Sequence, residues 1–245
     1  MIEIQSLGRG LRILDALGEA TDGATLSDLT TLLEVDKGTA SRLVSTLVSY
    51  GYAERDETTR RIFLGNRVVT LSRSVLNRLP IREAAKPFLR ELMERTGECA
   101  HLAVFSQGKA LYIDQVESPA TLRVNAQVGT MNPLHCTALG KILLAFCGAP
   151  FPEKLKKHTP HTIYDPDALK KHIEQVRQCG FATDDEEFDA GVRCIAAPVF
   201  DFRGKGIASI GISGPSTRIN PSRVAVLAEI VTGVAKDLSA RMIHG

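Results

Sequence analysis

The feature that most restricts the fold is a helix–turn–helix pattern near the start of the chain. The run 37–50 places apolar side chains on one helical stripe and polar or basic side chains on the opposite face. Asp36 suits the start of this helix and Gly51 suits its end. A shorter helix over 28–33, capped by Ser27, precedes it. The pattern therefore predicts two helices joined by a tight turn.

Two short strand-like runs, YAERD and RIFLG, follow the second helix and enclose residues 57–59. They predict a β-hairpin with Arg60 and Arg61 beside its tip. Leucines at helical spacing over 5–17 predict a further helix at the start. Three helices and a hairpin are the outline of a winged helix-turn-helix.

Charge is distributed unevenly along the N-terminal part, although the whole chain carries only +2. Residues 1–35 hold two basic and six acidic side chains, whereas residues 36–78 hold eight basic and four acidic ones. The second stretch would present a basic face of the kind that binds phosphate.

We predict that the polar face of the 37–50 helix enters the major groove of DNA. Arginine can form paired hydrogen bonds with a guanine edge, and the N-terminal end of such a helix meets the bases. An ordinary amphipathic helix with a solvated face is the alternative. The predicted DNA-binding residues are Lys37, Thr39, Ser41, Arg42, Ser45, Arg60 and Arg61.

The rest of the chain mixes helices and strands, which predicts an α+β domain. The predicted helices cover 66–78, 81–96 with a kink at Pro87, 137–146, 167–178 and 221–242. The predicted strands cover 101–105, 110–116, 121–126, 181–183, 192–200 and 206–213. The break at Leu79-Pro80 marks the domain boundary. The predicted division is a DNA-binding domain at 1–65, a linker helix at 66–79 and a second domain at 80–245.

Composition favours a cytoplasmic protein that does not bind membranes. No apolar run is long enough to span a bilayer, and the opening residues lack the features of a secretion signal. The five cysteines are widely spaced and form no CxxC pair. This usage suits a reducing compartment and argues against a disulfide framework or a zinc knuckle.

The sequence does not favour an enzyme. It contains no GxSxG, HExxH or Walker motif, and adjacent residues such as His135 and Cys136 rarely align as base and nucleophile. His135, Cys136 and Asp184 could bind a metal, but no ligand spacing among them is diagnostic. We therefore predict no catalytic residue, no metal and no cofactor.

Several long stretches resemble one family. The segments QSLGRGLRIL, LSDLTTLLEVDKGTASRLVSTLVSYGYAERD and RIFLG are similar to the DNA-binding domain of the IclR family of bacterial regulators. The segments PLHCTALGKILLAF, CGFATDDEEFDAGVRCIAAPVFD and ASIGISGPSTR are similar, in order and spacing, to its effector-binding domain. Gly38 and Gly211 depart from the family pattern, which usually has serine at the first position and often at the second.

The resemblance implies a winged helix-turn-helix, a linker helix and a C-terminal α+β, GAF-like effector-binding domain. It also implies that Asp184 and Cys194 lie at the effector site. From the residues themselves, Thr137 can cap the helix that follows it, whose free N–H groups suit a carboxylate. The strand 206–213 places small and hydroxyl side chains on one face. The predicted effector-binding residues are Asn132, His135, Cys136, Thr137, Ala138, Leu139, Asp184, Cys194, Ser209, Gly211 and Ser213.

Together these observations predict a sequence-specific transcriptional repressor controlled by a small organic acid. One recognition helix reads too few bases to select a genomic site, so a homodimer or homotetramer on palindromic double-stranded operator DNA is expected. The alternative is a small-molecule or redox sensor that acts through protein contacts without reading DNA.

Overall fold

A computed structural model describes residues 4–124 and 126–244 of the chain. The chain divides into two compact units, Met1–Arg78 and Leu79–Gly245. The helices of the first unit are α1 (Gln5–Glu19), α2 (Leu26–Leu33), α3 (Lys37–Ser49) and α4 (Arg67–Leu76). An antiparallel hairpin of β1 (Ala53–Arg55) and β2 (Ile62–Leu64) separates α3 from α4. The predicted winged helix-turn-helix is confirmed.

The start of α2 differs from the sequence prediction. Thr25, not Ser27, caps the helix: its hydroxyl accepts a hydrogen bond from the Asp28 amide at 3.2 Å. The Asp28 carboxylate in turn accepts one from the Thr25 amide at 2.8 Å. This reciprocal pair needs an acidic side chain three positions after the cap. Asp28 occupies that position relative to Thr25. Ser27 instead lies inside α2, so its prediction as a cap was wrong.

Helix α3 begins and ends as its sequence predicts. The Asp36 carboxylate accepts from the Thr39 amide at 2.9 Å, and Gly51 has a φ of 74° just after the helix. Such a backbone angle is strained for other residues, which explains the glycine. Ala40 and Val44 are completely buried, and Val44 packs in a core with residues of α1, α2 and the hairpin.

The second unit is built on a six-stranded antiparallel sheet with the order β5-β4-β3-β8-β7-β6. Its strands are β3 (Cys99–Ser106), β4 (Lys109–Val116), β5 (Met131–Asn132), β6 (Ala182–Asp185), β7 (Val192–Phe200) and β8 (Gly206–Pro215). Its helices are α5 (Pro80–Thr96), α6 (Ala138–Phe146), α7 (Pro166–Cys179) and α8 (Pro221–His244). The predicted α+β class is confirmed.

One predicted strand is wrong. Residues 121–124 and 126 form no strand, and residue 125 lies outside the described residues. The edge of the sheet is formed instead by β5, which pairs Asn132 with Ala110 and Met131 with Leu111. A two-residue strand is too short to show an alternating pattern, which is why the sequence did not reveal it.

Alternation along the strands gives the sheet two different faces. On β8, Ile210 and Ile212 point to one face, whereas Gly211 and Ser213 point to the other. Helices α5 and α8 pack against each other, and α6 packs against α7, β7 and β8. Among the described residues, no helix is both long and apolar enough to cross a membrane.

Candidate functional site

The exposed face of α3 is polar and basic. Lys37, Arg42 and Ser45 are exposed on this helix, whereas Ala40 and Val44 anchor it in the core. Fixing one stripe in the core holds the other stripe in a defined direction. This arrangement is what a helix needs to present side chains to a DNA groove.

Thr39 links the start of α3 to Arg42, the one arginine of this helix. Its hydroxyl donates to the Asp36 carboxylate at 2.7 Å and accepts from the Arg42 guanidinium at 3.3 Å. The hydrogen bonds from Thr39 to Asp36 hold the pKa of this carboxyl below its ordinary value. Thr39 and Ser41 are both half-buried. Thr39 therefore connects the Asp36 carboxylate to the Arg42 guanidinium and orients that side chain.

The two arginines of the hairpin have different environments. Arg60 is exposed, has a φ of 59°, and lies 3.8 Å from the Glu57 carboxylate. Arg61 is half-buried, and its guanidinium donates to the carbonyl oxygens of Asp22 and Gly23 at 3.2 and 3.0 Å. Arg60 thus lies at the surface in a loose ion pair, whereas Arg61 braces the turn between α1 and α2.

The second unit contains a cavity of about 250 Å³. Its wall combines polar side chains with a few apolar ones, and the strands β3, β4, β5, β6, β7 and β8 all contribute. The lining residues are His101, Tyr112, Val124, Ala126, Gln127, Thr130, Asn132, Thr137, Asp184, Phe188, Asp189, Val192, Cys194 and Ser213. A cavity of this size suits a small molecule.

The structure brings together some of the predicted effector residues and separates others. Those that line the cavity are Asn132, Thr137, Asp184, Cys194 and Ser213. Those that lie outside its lining are His135, Cys136, Ala138, Leu139, Ser209 and Gly211.

Packing explains why several of these predicted residues lie outside the cavity lining. Ala138 and Leu139 pack in the core that α6 shares with the sheet. The Ser209 hydroxyl is completely buried, with no hydrogen-bond partner among the described residues. Gly211 lies directly against the backbone of Ile195 and Ala196, so that a side chain there would require the neighbouring strand to move. Sharing a strand face therefore did not place Ser209 and Gly211 at the cavity.

His101 and Tyr112 line the cavity but were not predicted from the sequence. The His101 ring and the Ser213 hydroxyl share a hydrogen bond of 2.6 Å across the β3–β8 pairing. Burial lowers the pKa of His101 to about 4, so the ring is neutral at physiological pH. Both residues belong to strands with no motif around them, and only their strand pairing brings them to this wall.

Asp184 is the buried carboxylate of the cavity, with 2% of its surface exposed. One of its oxygens accepts from the amides of Glu187 and Phe188 at 2.8 and 3.4 Å. Burial nevertheless raises the pKa of Asp184 to about 7. It also raises the pKa of the neighbouring Cys194 thiol, which is therefore protonated.

A buried ion pair supports the segment that carries Asp184. The Lys141 ammonium group is fully buried and donates to the Glu187 carboxylate at 2.5 Å and to the Thr183 carbonyl oxygen at 2.9 Å. Because Lys141 belongs to α6 and the other two belong to the β6 region, the pair fixes one wall of the cavity to the other.

No lysine or arginine occurs among the described residues that line the cavity. Its hydrogen-bond donors are neutral hydroxyl and amide groups, and its charged groups are the carboxylates of Asp184 and Asp189. An anion bound here would therefore be held by hydrogen bonds, because the lining offers it no opposite charge.

A winged helix-turn-helix joined to a unit with a small-molecule cavity defines the class of ligand-responsive transcription regulators. The chain matches the IclR helix-turn-helix domain over residues 6–57 and the C-terminal domain of bacterial IclR regulators over residues 73–240. The chain belongs to the IclR family. Its family and its relatives are regulators and not enzymes.

Relatives and solved structures support this assignment over nearly the full length. The chain is 35% identical to the regulator BhcR of Paracoccus denitrificans, over 98% of this chain and 88% of that protein. It is 31% identical to the repressor AllR of Escherichia coli, over 97% and 90% respectively. The crystal structure of an IclR homologue of Microbacterium hydrocarbonoxydans in complex with 4-hydroxybenzoate matches with a TM-score of 0.80 and 25% identity, covering 97% of this chain and 98% of that one.

Proposed function

We propose that this regulator is a cytoplasmic repressor that binds palindromic operator DNA and is controlled by a small organic acid. The observation that carries the proposal is the exposed face of α3, where Lys37, Arg42 and Ser45 stand opposite a buried stripe. The name of AllR as a repressor supports the direction of control. The 4-hydroxybenzoate complex of the homologue supports an acid as effector.

On the DNA side, we assign the reading of base edges to Arg42 and contacts with the DNA phosphate backbone to Lys37 and Arg60. Arg42 is exposed and oriented by Thr39 at 3.3 Å, which reduces the conformational entropy lost on binding. Arg61 contributes by bracing the hairpin, since its guanidinium already binds backbone carbonyls.

The experiment is a titration of operator DNA from the region upstream of the chain's own gene, over a salt series. Arg42→Ala should weaken specific binding by about 1–3 kcal/mol and relax the preference for the operator. Arg90→Ala, an exposed arginine on α5, is the matched control and should bind like the wild type. Wild-type affinity of the Arg42→Ala protein would refute the assignment. Failure of the wild-type protein to bind any DNA would favour a sensor that acts through protein contacts.

Self-association is part of the proposal because apolar side chains remain exposed on two helices of the first unit. Leu7 and Leu11 of α1 are 59% and 54% exposed, and Val69 and Val75 of α4 are 66% and 53% exposed. Exposed apolar groups at helical spacing are suited to pair with a second copy. The number of chains bound per operator, from the same titration, measures the assembly.

On the effector side, the cavity offers neutral donors to a carboxylate. The Tyr112 hydroxyl, the Asn132 amide and the Ser213 hydroxyl line it, as does Thr137 at the start of α6. The Thr137 hydroxyl accepts from the Gly140 amide at 3.2 Å. Among the described residues, the amides of Ala138 and Leu139 make no backbone hydrogen bond, so they remain available to an acceptor. Because two carboxylates repel each other, we assign Asp184 to a hydroxyl group of the effector.

Thermal unfolding with a panel of aliphatic and aromatic acids tests this assignment. An acid at a hundred times its Kd should stabilise the wild type by about 2.7 kcal/mol. Cys194→Trp, which fills the cavity, should abolish the stabilisation. Equal stabilisation of both proteins would place the effector elsewhere. If the acid changes the operator affinity of the wild type, linkage requires operator DNA to change the affinity for the acid by the same factor.

A further inference from the structure

Outside the cavity lining, three side chains with metal-binding atoms converge. His135, Cys136 and His158 each offer one nitrogen or sulfur atom, and these atoms lie within 4.8 Å of one another. We propose that these three residues form a binding site for a divalent transition metal of the zinc class. The sequence predicted no metal because His158 lies far along the chain and belongs to no motif with the other two.

The environment of each ligand suits this role. One ring nitrogen of His135, Nε2, is hydrogen-bonded to the Lys156 carbonyl oxygen at 2.9 Å. A backbone carbonyl in this position is a usual outer-shell partner of a metal-binding histidine, and it leaves the other ring nitrogen to bind the metal. The ring centres of His135 and His158 are 6.0 Å apart.

Among the described residues, the other two ligands show no competing partner for the atoms that would bind the metal. The Nε2 atom of His158 is buried and makes no hydrogen bond among the described residues. Cys136 is completely buried, and no disulfide occupies its sulfur. A buried polar nitrogen without a partner is costly, and a metal ion would satisfy it.

The ligand chemistry selects the class of metal. Two imidazoles and a thiolate are borderline to soft ligands, which suit Zn²⁺ and disfavour Mg²⁺ and Ca²⁺. Three protein ligands leave a fourth tetrahedral position for water or another small ligand. On coordination the Cys136 thiol releases its proton to solvent.

The position of the site connects it to the cavity walls. Cys136 directly precedes Thr137, which lines the cavity, and the His158 ring lies 5.0 Å from the ring of Phe188, another lining residue. A bound ion would fix the loop before α6 to the connection between α6 and α7, next to the effector. None of the three ligands lines the cavity itself.

The test uses the full chain, freed of metal by a chelator and titrated with Co²⁺, whose absorption reports thiolate and imidazole ligands. Zn²⁺ should then displace Co²⁺. Cys136→Ser and His158→Gln should each weaken binding by more than the roughly 10- to 100-fold expected for loss of an outer-shell partner. Cys147→Ser and His161→Gln are matched controls outside the cluster and should bind like the wild type. Thermal unfolding of the metal-free proteins establishes that the variants are folded.

Each result decides the proposal. One Co²⁺ per chain, with a thiolate absorption band that disappears in Cys136→Ser and His158→Gln, supports it. Absence of saturable binding by the folded wild type overturns it, as does binding that survives both substitutions. Loss of binding only in Cys194→Ser would place the ion in the effector cavity and would also overturn it. The readout does not involve DNA or acid binding, so its failure leaves the proposed function untouched.

Discussion

Replacement of Asp184 by asparagine should make the protein more stable at high pH and should flatten its pH dependence. The asparagine side-chain oxygen can still accept from the amides of Glu187 and Phe188, as the carboxylate does at 2.8 and 3.4 Å. What Asp184→Asn removes is the ability to ionise in a buried position.

The magnitude follows from the pKa of Asp184. Burial raises this pKa from 3.8 to about 7, and each unit corresponds to about 1.4 kcal/mol. Because the folded pKa lies above the unfolded one, the contribution to stability is fully present below about pH 4 and is lost by about pH 7. The free energy of unfolding of the wild type should therefore fall by up to about 4 kcal/mol over this range.

The assay is urea unfolding of the wild type and Asp184→Asn at several pH values from about 4 to 8, analysed as the difference between the two proteins. The free energy of unfolding of the variant should exceed that of the wild type by up to about 4 kcal/mol at pH 8 and by little at pH 4. In thermal unfolding, a gain of this size corresponds to a rise in Tm of roughly 10 °C. Asp189→Asn is the control, since Asp189 lines the same cavity but is exposed.

Two results would refute the reasoning. The first is an equal pH dependence of the free energy of unfolding for the wild type and Asp184→Asn between about pH 4 and 7. The second is a gain that appears at low pH instead of high pH, because that sign requires a lowered pKa. Asp189→Asn should reproduce neither the gain nor the flattening.

Two further changes test the local structure. Thr25→Ala should destabilise the first unit by about 1 kcal/mol because it removes the cap of α2, whereas Ser27→Ala should change its free energy of unfolding little; the reverse order would contradict the capping assignment. Lys141→Met should destabilise the second unit by about 3–5 kcal/mol because it leaves the Glu187 carboxylate buried without its partner. The double variant Lys141→Met/Glu187→Gln should recover much of the lost free energy of unfolding, measured by chemical unfolding. If it recovers none, the unpaired Glu187 carboxylate is not the cause of the destabilisation.

Much of the first unit was determined by the sequence alone. The apolar stripe of α3, its cap at Asp36 and the glycine after it are signals separated by only a few residues, so they can be recognised without a partner element. The hairpin follows for the same reason. The exception is the cap of α2, for which the sequence indicated Ser27, whereas in the structure Thr25 caps the helix through its reciprocal bond with Asp28.

The cavity and the cluster of His135, Cys136 and His158 were decided by the tertiary structure. Alternation predicts which side chains share a strand face, but it does not say which strands become neighbours or which part of a face is covered by a helix. His101 meets Ser213 across 112 positions, and His158 reaches His135 from a connection without regular structure. Contacts of such long range depend on how strands pair and helices pack, and these arrangements leave no periodic signal in the sequence around any one residue.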